Sequence, residues 1–315
     1  MDSASAFTYR HFDTQRDFAA FVILLQTVEQ ADQDGEDVSE AALREQLTWP
    51  GHDPALDRWV VLSSASNTLI GYGAIFQAPN DVHADLYIAV HPQWRRQGIG
   101  STLLGHLLER VREMGAQDVR TYATVQNQGA RAFLRAHDFD SVATYTRLLV
   151  AGTHSFPKAV VPPGFVIRSY DQVQQLDLLV EAMNRSYEGL WGHHHIGREE
   201  LVEWLPQIRQ EGIFVLFAPG GAVAGICRAE MSEHLTTLRG VPTGLVDAPG
   251  IVTEYREAGL YVPLILTALQ SLIPQAPSRI EMESWGDAAA MLALYRELGF
   301  IPMQEALSYR RELAE

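Results

Sequence analysis

Thiols are almost absent from this chain: among 315 residues Cys227 is the sole cysteine. A lone thiol cannot close an internal disulfide, and without a second one at ligand spacing there is no thiolate metal site. Long apolar runs are missing as well. No stretch approaches the ~20 residues that a spanning helix needs, and Met1 to Phe7 lacks the basic start and apolar centre of a signal peptide, so a cytoplasmic chain without a membrane partner is expected. Basic charge is scarce, 24 Lys and Arg against 39 Asp and Glu. The deficit is even, 12 against 19 in residues 1–150 and 12 against 20 in residues 151–315. Neither half has the basic face that a nucleic-acid backbone requires, which excludes that class of partner.

What is present is an ordinary globular composition, 47% hydrophobic and 20% charged, which excludes an intrinsically disordered chain. The length favours two domains. Self-similarity says the same. Trp94-Arg95-Arg96-Gln97-Gly98-Ile99 stands 161 positions before Tyr255-Arg256-Glu257-Ala258-Gly259-Leu260, and Phe133-Leu134-Arg135 with Phe139 stands 161 before Leu294-Tyr295-Arg296 with Phe300. Two matching blocks with no insertion between them indicate a tandem duplication. The expected layout is a first domain over 1–150, a linker over 151–164 carrying Pro157, Pro162 and Pro163, and a second domain over 165–315.

Within each copy, hydrophobic periodicity predicts a strand, two helices, a run of antiparallel hairpin strands, and then a strand-loop-helix-strand-helix-strand segment. The fold class is therefore α/β, a mixed and mainly antiparallel sheet flanked by helices. In the first copy the strand Asp85–Val90 runs into Pro92, two arginines, two glycines and the helix from Ile99 to Met114. Free amides in the first turn of such a helix, its dipole, and glycines that permit close approach make an anion cradle. It is not a Walker loop, having no Gly-Lys-Ser/Thr, and its spacing is wrong for a Rossmann fingerprint. His193-His194-His195 reads as a polar loop, since adjacent residues cannot all point at one ion; no metal is expected.

The cradle, Val90-x-Pro92-x-Trp94-Arg95-x-x-Gly98-x-Gly100, together with the later block Asn127 to Phe139, closely resembles the GNAT superfamily of acyl-CoA-dependent N-acetyltransferases. The resemblance covers the first half throughout and the second through Tyr255-Arg256-x-x-Gly259 and Leu294-Tyr295-Arg296-x-x-Gly299-Phe300. It implies two tandem GNAT-like domains, acetyl-CoA as co-substrate, and a small-molecule primary amine as acceptor. It further implies that backbone groups from Ile88 to Val90 pair with the pantetheine arm and face the thioester. Cofactor contacts then fall on Ile88, Val90, Arg95, Arg96, Gln97, Gly98, Ile99, Gly100, Ser101 and Asn127. In the reaction so implied, a neutral amine attacks the thioester, a backbone amide stabilises the oxyanion, and a tyrosine protonates the leaving thiolate. Asp85, on the strand before the cradle, is the candidate general base, with Asp247, Glu281 and Glu283 its counterparts. Tyr122 and Thr124 are candidates to line the amine pocket.

The halves depart from the pattern in opposite ways. The first keeps the cradle but has Leu134 where the tyrosine acid stands; the second keeps Tyr295 as candidate acid but has Glu257, Ala258 and Tyr261 in its loop. Either the first half binds acetyl-CoA and reacts without a positioned acid, or the second does the chemistry with Tyr295. The alternative from another class is a CoA-binding sensor or scaffold without turnover.

Overall fold

The computed structural model describes residues 6–49, 52–78, 81–191, 193 and 195–313. They fall into two compact units, Met1–Val142 with Leu307–Glu315, and Ala143–Ala306.

Unit 1 opens with β1 (Phe7–His11) and α1 (Thr14–Asp32), whose start is fixed by the Asp13 side chain accepting from the Arg16 amide. Phe18, Phe21, Leu25 and Val28 recur at helical spacing, and their burial turns that face of α1 onto the sheet. Ser39 caps α2 (Glu40–Glu45). Then β2 (Arg58–Ser63), β3 (Leu69–Phe76) and β4 (His83–Val90) pair as an antiparallel meander with β1. Helix α3 (Ile99–Glu113) buries Leu103, Leu104, Leu107, Leu108 and Val111. Each such side chain contributes about 1.5–3 kcal/mol of transfer free energy. A Cβ on Gly73 would stand 2.8 Å from Leu107 Cδ1, so glycine at that strand position is what lets α3 lie so close. The segment ends in β5 (Asp118–Thr124), parallel to β4, and α4 (Gln128–Ala136).

Unit 2 repeats the plan with β6 (Asp140–Ala151), β7 (Val166–Ser169), α5 (Tyr170–Val173), α6 (Leu176–Ser186), α7 (Arg198–Trp204), β8 (Ile213–Phe217) and β9 (Val223–Met231). It continues with α8 (Glu233–Arg239), β10 (Thr243–Asp247), β11 (Gly250–Ile251), α9 (Tyr261–Leu272), β12 (Arg279–Trp285), α10 (Ala289–Glu297) and β13 (Ile301–Glu312). Between β7 and α7 the chain forms two helices and not one, because Gln174 is left-handed at φ 49 and ends α5. Helix α8, capped by Ser232, has no counterpart in the sequence reading. β10 and β11 are separated by Ala248-Pro249, where a proline cannot donate to a ladder.

The unit bounds differ from the expected sequence halves. In unit 1 the sheet order is β1-β2-β3-β4-β5 followed by the part of β13 from Leu307 on, and Tyr309, 1% exposed, is packed into that unit's core. In unit 2 the order is the start of β13, then β6-β12-β10-β9-β8-β7, with β11 on β9. The strand that ends the first half thus pairs antiparallel with β12, from Arg279↔Ala151 to Trp285↔Tyr145. Residues 151–164 are not a free tether but belong to unit 2. The Gly152 amide donates to Ser278 O, Pro157 O accepts from Gln270, and Phe156 and Val161 pack on that unit's core.

Candidate active site

In unit 1, β4 and β5 pair over three positions, His83↔Asp118, Ala84↔Val119 and Asp85↔Arg120, and the register stops there. Beyond it the two parallel strands splay. The His91 amide donates to Ile70 O, and backbone direction alternates along a strand, so His91, Ala89 and Tyr87 face β3 while Val90, Ile88 and Leu86 turn their backbone groups toward the splay. The backbone groups of Ile88 and Val90 therefore face away from β3, into the splay.

The strand leads into a turn in which Arg96 (φ 64) and Gly98 (φ 82) are both left-handed, a concave arrangement of amides suited to an anion. Gly98 is the N-cap of α3 and supplies no side chain to the first-turn amides, whereas α1, α2 and α4 are each capped by a side chain. A Cβ on Gly98 would meet nothing within 4 Å, so the space before these amides is open. Ile99, 1% exposed, anchors the turn in the core beside Val61, Ile70 and Leu103, and Gln97 is exposed. Two of the expected residues have side-chain surroundings of their own. A Cβ on Gly100 would lie 3.3 Å from the Phe133 ring, so this glycine serves the approach of α4 to α3. The Ser101 hydroxyl lies 2.9 Å from His137 Nε2.

The Arg95 side chain is also committed. Its Nε donates to Val90 O at 3.0 Å, and its two terminal nitrogens donate to the Asp32 carboxylate at 2.8 and 2.7 Å. Asn127 caps α4 through Oδ1 and donates from Nδ2 to Asp34 at 3.2 Å. Asp34 accepts from the Thr124 hydroxyl as well, and Glu36 from the Tyr122 hydroxyl at 2.6 Å. The end of α1 and the segment after it therefore place three carboxylates on the walls of the splay, and the sequence reading missed all three. Their signal was an acidic run, Asp32 to Asp37, interrupted by Gly35 between two helices. On the same face of β4, burial pushes the Tyr87 hydroxyl well above its ordinary pKa, and the nearby Glu36, Tyr72 and Asp34 push it further.

Asp85 lies at the last paired position, the closed end of the splay, about 10 Å along the strand from Ile88. Desolvation raises its carboxyl above the ordinary range and Arg120 opposes this, but the side chain is exposed, which screens the effect. A proton taken there from an acceptor near Ile88 would have to pass through water.

Unit 2 presents the same parts filled in. Its β10 and β12 run parallel over five positions. Pro249, 161 positions after Ile88, has no N–H to offer. Tyr187 packs so tightly over Gly250 that a Cβ there would be 2.8 Å from its ring, and its hydroxyl donates to Ala248 O at 2.9 Å. The turn keeps only one left-handed residue, Gly259 (φ 68), because Glu257, which stands where unit 1 has Arg96, is not left-handed. Tyr295 is fully buried and donates to Asp287 at 3.3 Å; burial and that carboxylate raise its pKa far above the ordinary value. The other acids are spent in pairs: Asp247 on Arg228, Glu281 on Arg239 and Arg279, and Glu283 on the Tyr145 hydroxyl. A cavity of about 30 Å³ lined by Met183, Tyr187, Trp204 and Arg228 has room for a water or two but not for a substrate. Among the described residues there is no cluster of three metal-ligating side chains and no helix long and apolar enough to cross a membrane. His194 lies outside the described residues.

Residues 24–139 match the Acetyltransferase (GNAT) family. Over longer spans the chain is similar to proteins named mycothiol acetyltransferase. One from Rhodococcus erythropolis is 25% identical, covering 78% of this chain and 82% of that protein; one from a Parafrankia species is 24% identical, covering 94% and 95%. Among solved structures, a GCN5-related N-acetyltransferase from Sphaerobacter thermophilus superposes with a TM-score of 0.76 at 18% identity, covering 98% of this chain and 96% of that one. A tandem GNAT protein from the clavulanic acid biosynthesis pathway gives 0.65, also at 18% identity, covering 98% and 99%.

Proposed function

We propose that this acyltransferase, whose residues 24–139 are a GNAT acetyltransferase domain, moves an acetyl group from acetyl-CoA directly to the primary amine of a small molecule, and that unit 1 does the work. The observation that carries the reading is the open edge of β4 at Ile88 running straight into the uncapped start of α3. The residues fit the co-substrate: the amides from Arg96 to Ser101 would hold the pyrophosphate, and Ile88 and Val90 offer the strand edge for the pantetheine arm. Bound acetyl-CoA supplies an activated thioester. In the transfer the amine nitrogen forms a bond to the acetyl carbon, the carbon–sulfur bond breaks, and one proton passes from nitrogen to the thiol.

The chain's own contribution is position and polarity. The Ile88 N–H, aimed into the splay, would stabilise charge developing on the carbonyl oxygen. Leu134, 5% exposed within the core of unit 1, cannot donate a proton, so water returns it to sulfur. Asp85 would receive the amine proton through water. The relatives named mycothiol acetyltransferase support acetyl transfer and do not name this chain's own acceptor.

Gly98→Val and Gly259→Val test the assignment, because both glycines are left-handed and backbone strain is common to the two variants. Calorimetry is expected to show acetyl-CoA binding in the wild type and in Gly259→Val, and its loss in Gly98→Val; the opposite pattern would move the site to unit 2. Thiol release across a panel of primary amines then tests turnover. Binding with no release from any amine would refute the transfer.

A further inference from the structure

The arginine of the cradle motif occurs in both units, and its surroundings differ in the one respect that matters for an anion. In unit 1 it precedes a turn with two left-handed residues, and in unit 2 a turn with one, with Tyr261 in place of Gly100. If the guanidinium served a phosphate, its orientation should change where the cradle decays. It does not. Arg95 Nε donates to Val90 O at 3.0 Å, and Arg256 Nε donates to Ile251 O at 3.1 Å, in each case the carbonyl five residues back. The rest of each guanidinium reaches the C-terminal end of a helix or the residues just after it: Arg95 binds the carboxylate of Asp32, the last residue of α1, in a two-pronged pair, and Arg256 Nη2 donates to Glu188 O at 2.7 Å, just after α6.

The consequence in unit 1 is mechanical. Asp32 is the last residue of α1, and Gln33 (φ 54) and Gly35 (φ 79) then turn the chain sharply. The Gly35 amide is pinned to Glu29 at 2.8 Å, while Asp34 and Glu36 accept from Thr124, Asn127 and Tyr122. The strap Asp32–Glu36 is thus fastened at the end of β4 through Arg95 and, through Tyr122 and Thr124, at the part of β5 beyond its pairing with β4. It crosses the face of the splay on which Tyr87 lies, whereas α3 packs on the face of Leu86 and Ile88.

We propose that Arg95 is a positioning residue that holds Val90 and, through Asp32, the strap across the splay, and so governs binding of the acceptor amine without contacting acetyl-CoA. This rests on unit 1 being the working unit. A two-pronged charge-assisted pair is short and directional, so its loss should free the strap more than a neutral bond would.

The test uses the full chain as wild type, Arg95→Ala, Arg95→Lys and Asp32→Asn, and reads acetyl-CoA affinity by calorimetry, amide hydrogen exchange over residues 33–38, and kcat and KM for whichever panel amine releases thiol fastest. Expected for Arg95→Ala and Asp32→Asn alike are an acetyl-CoA Kd within about twofold of wild type, strap exchange about tenfold faster, and an amine KM raised about tenfold with kcat within about threefold. Arg95→Lys, which keeps the charge but not the fork, should recover part of the KM change. The near-isosteric Asp32→Asn carries the test if Arg95→Ala does not fold. An acetyl-CoA Kd weakened tenfold in Arg95→Ala but not in Asp32→Asn would make Arg95 a ligand of the co-substrate and overturn the proposal. Unchanged strap exchange, or a fall in kcat at constant KM, would overturn it as well. Failure of wild type to bind acetyl-CoA would instead refute the assignment of unit 1.

Discussion

Acid should unfasten unit 1 at His52, and the amount can be worked from its surroundings. The imidazole is buried between a loop and the sheet: Nδ1 lies 3.0 Å from Ile75 O and so carries the proton, while Nε2 accepts from Arg58 Nε at 2.5 Å. Arg58 is itself fully buried, donating also to the Tyr72 hydroxyl at 2.6 Å and to Gln46 O at 3.0 Å. A second positive charge beside it is unwelcome, and burial, then Arg58, hold the His52 pKa down at about 4 against an ordinary 6.5. Unfolded, the ring takes up its proton as the pH falls through 6.5; folded, it does so only near 4. Between those values the unfolded chain binds more protons, so stability falls with falling pH. The contribution is complete above pH 6.5 and is lost by pH 4, and the difference of about 2.5 pH units corresponds to roughly 3 kcal/mol. Hydrogen exchange of β2 and β3 amides from pH 7 to 4.5, wild type against His52→Gln, measures it directly. The variant should be less stable at pH 7 and lose this part of the acid sensitivity, so that the gap narrows on acidification. A gap constant over that range would refute the reasoning, since it would mean that the folded ring titrates as in the unfolded chain.

Three further outcomes are expected. Ile88→Pro, which gives unit 1 the residue found at Pro249, should lower kcat about 10²–10³-fold by removing one oxyanion donor, while Ile88→Val keeps the N–H and stays near wild type; thiol-release kinetics distinguish the two. Deleting residues 307–315 removes Tyr309 and the Leu313 amide bond to Gln117 O from unit 1. It should destabilise that unit by about 3–5 kcal/mol in urea unfolding, the range for losing a large buried aromatic. Tyr295→Phe deletes the bond to Asp287 and should cost about 1 kcal/mol of stability while leaving turnover unchanged; a fall in rate with loss of the alkaline limb would place the chemistry in unit 2.

The duplication, the α/β class, the strand and helix types of unit 1 and the open turn before α3 were all legible in the sequence, because each depends on local pattern. Helical and strand periodicities read directly, Ser39 and Asn127 announce caps, and glycine at position 98 is required by a left-handed N-cap whatever surrounds it. What the chain folded up decided were the partners, which are non-local. Nothing in the pattern of β6 says that it pairs with β12 while Tyr309 of β13 enters the core of unit 1, since both closing strands carry similar alternation and either sheet would bury them. The same holds for side chains. Arg95 reads as an anion ligand until Asp32, 63 residues away, takes its fork, and Gly100 reads as room for a ligand until the Phe133 ring stands 3.3 Å from its missing Cβ. Local propensity is written residue by residue, whereas the destination of a charged or small side chain is set by whichever distant group the fold brings within reach.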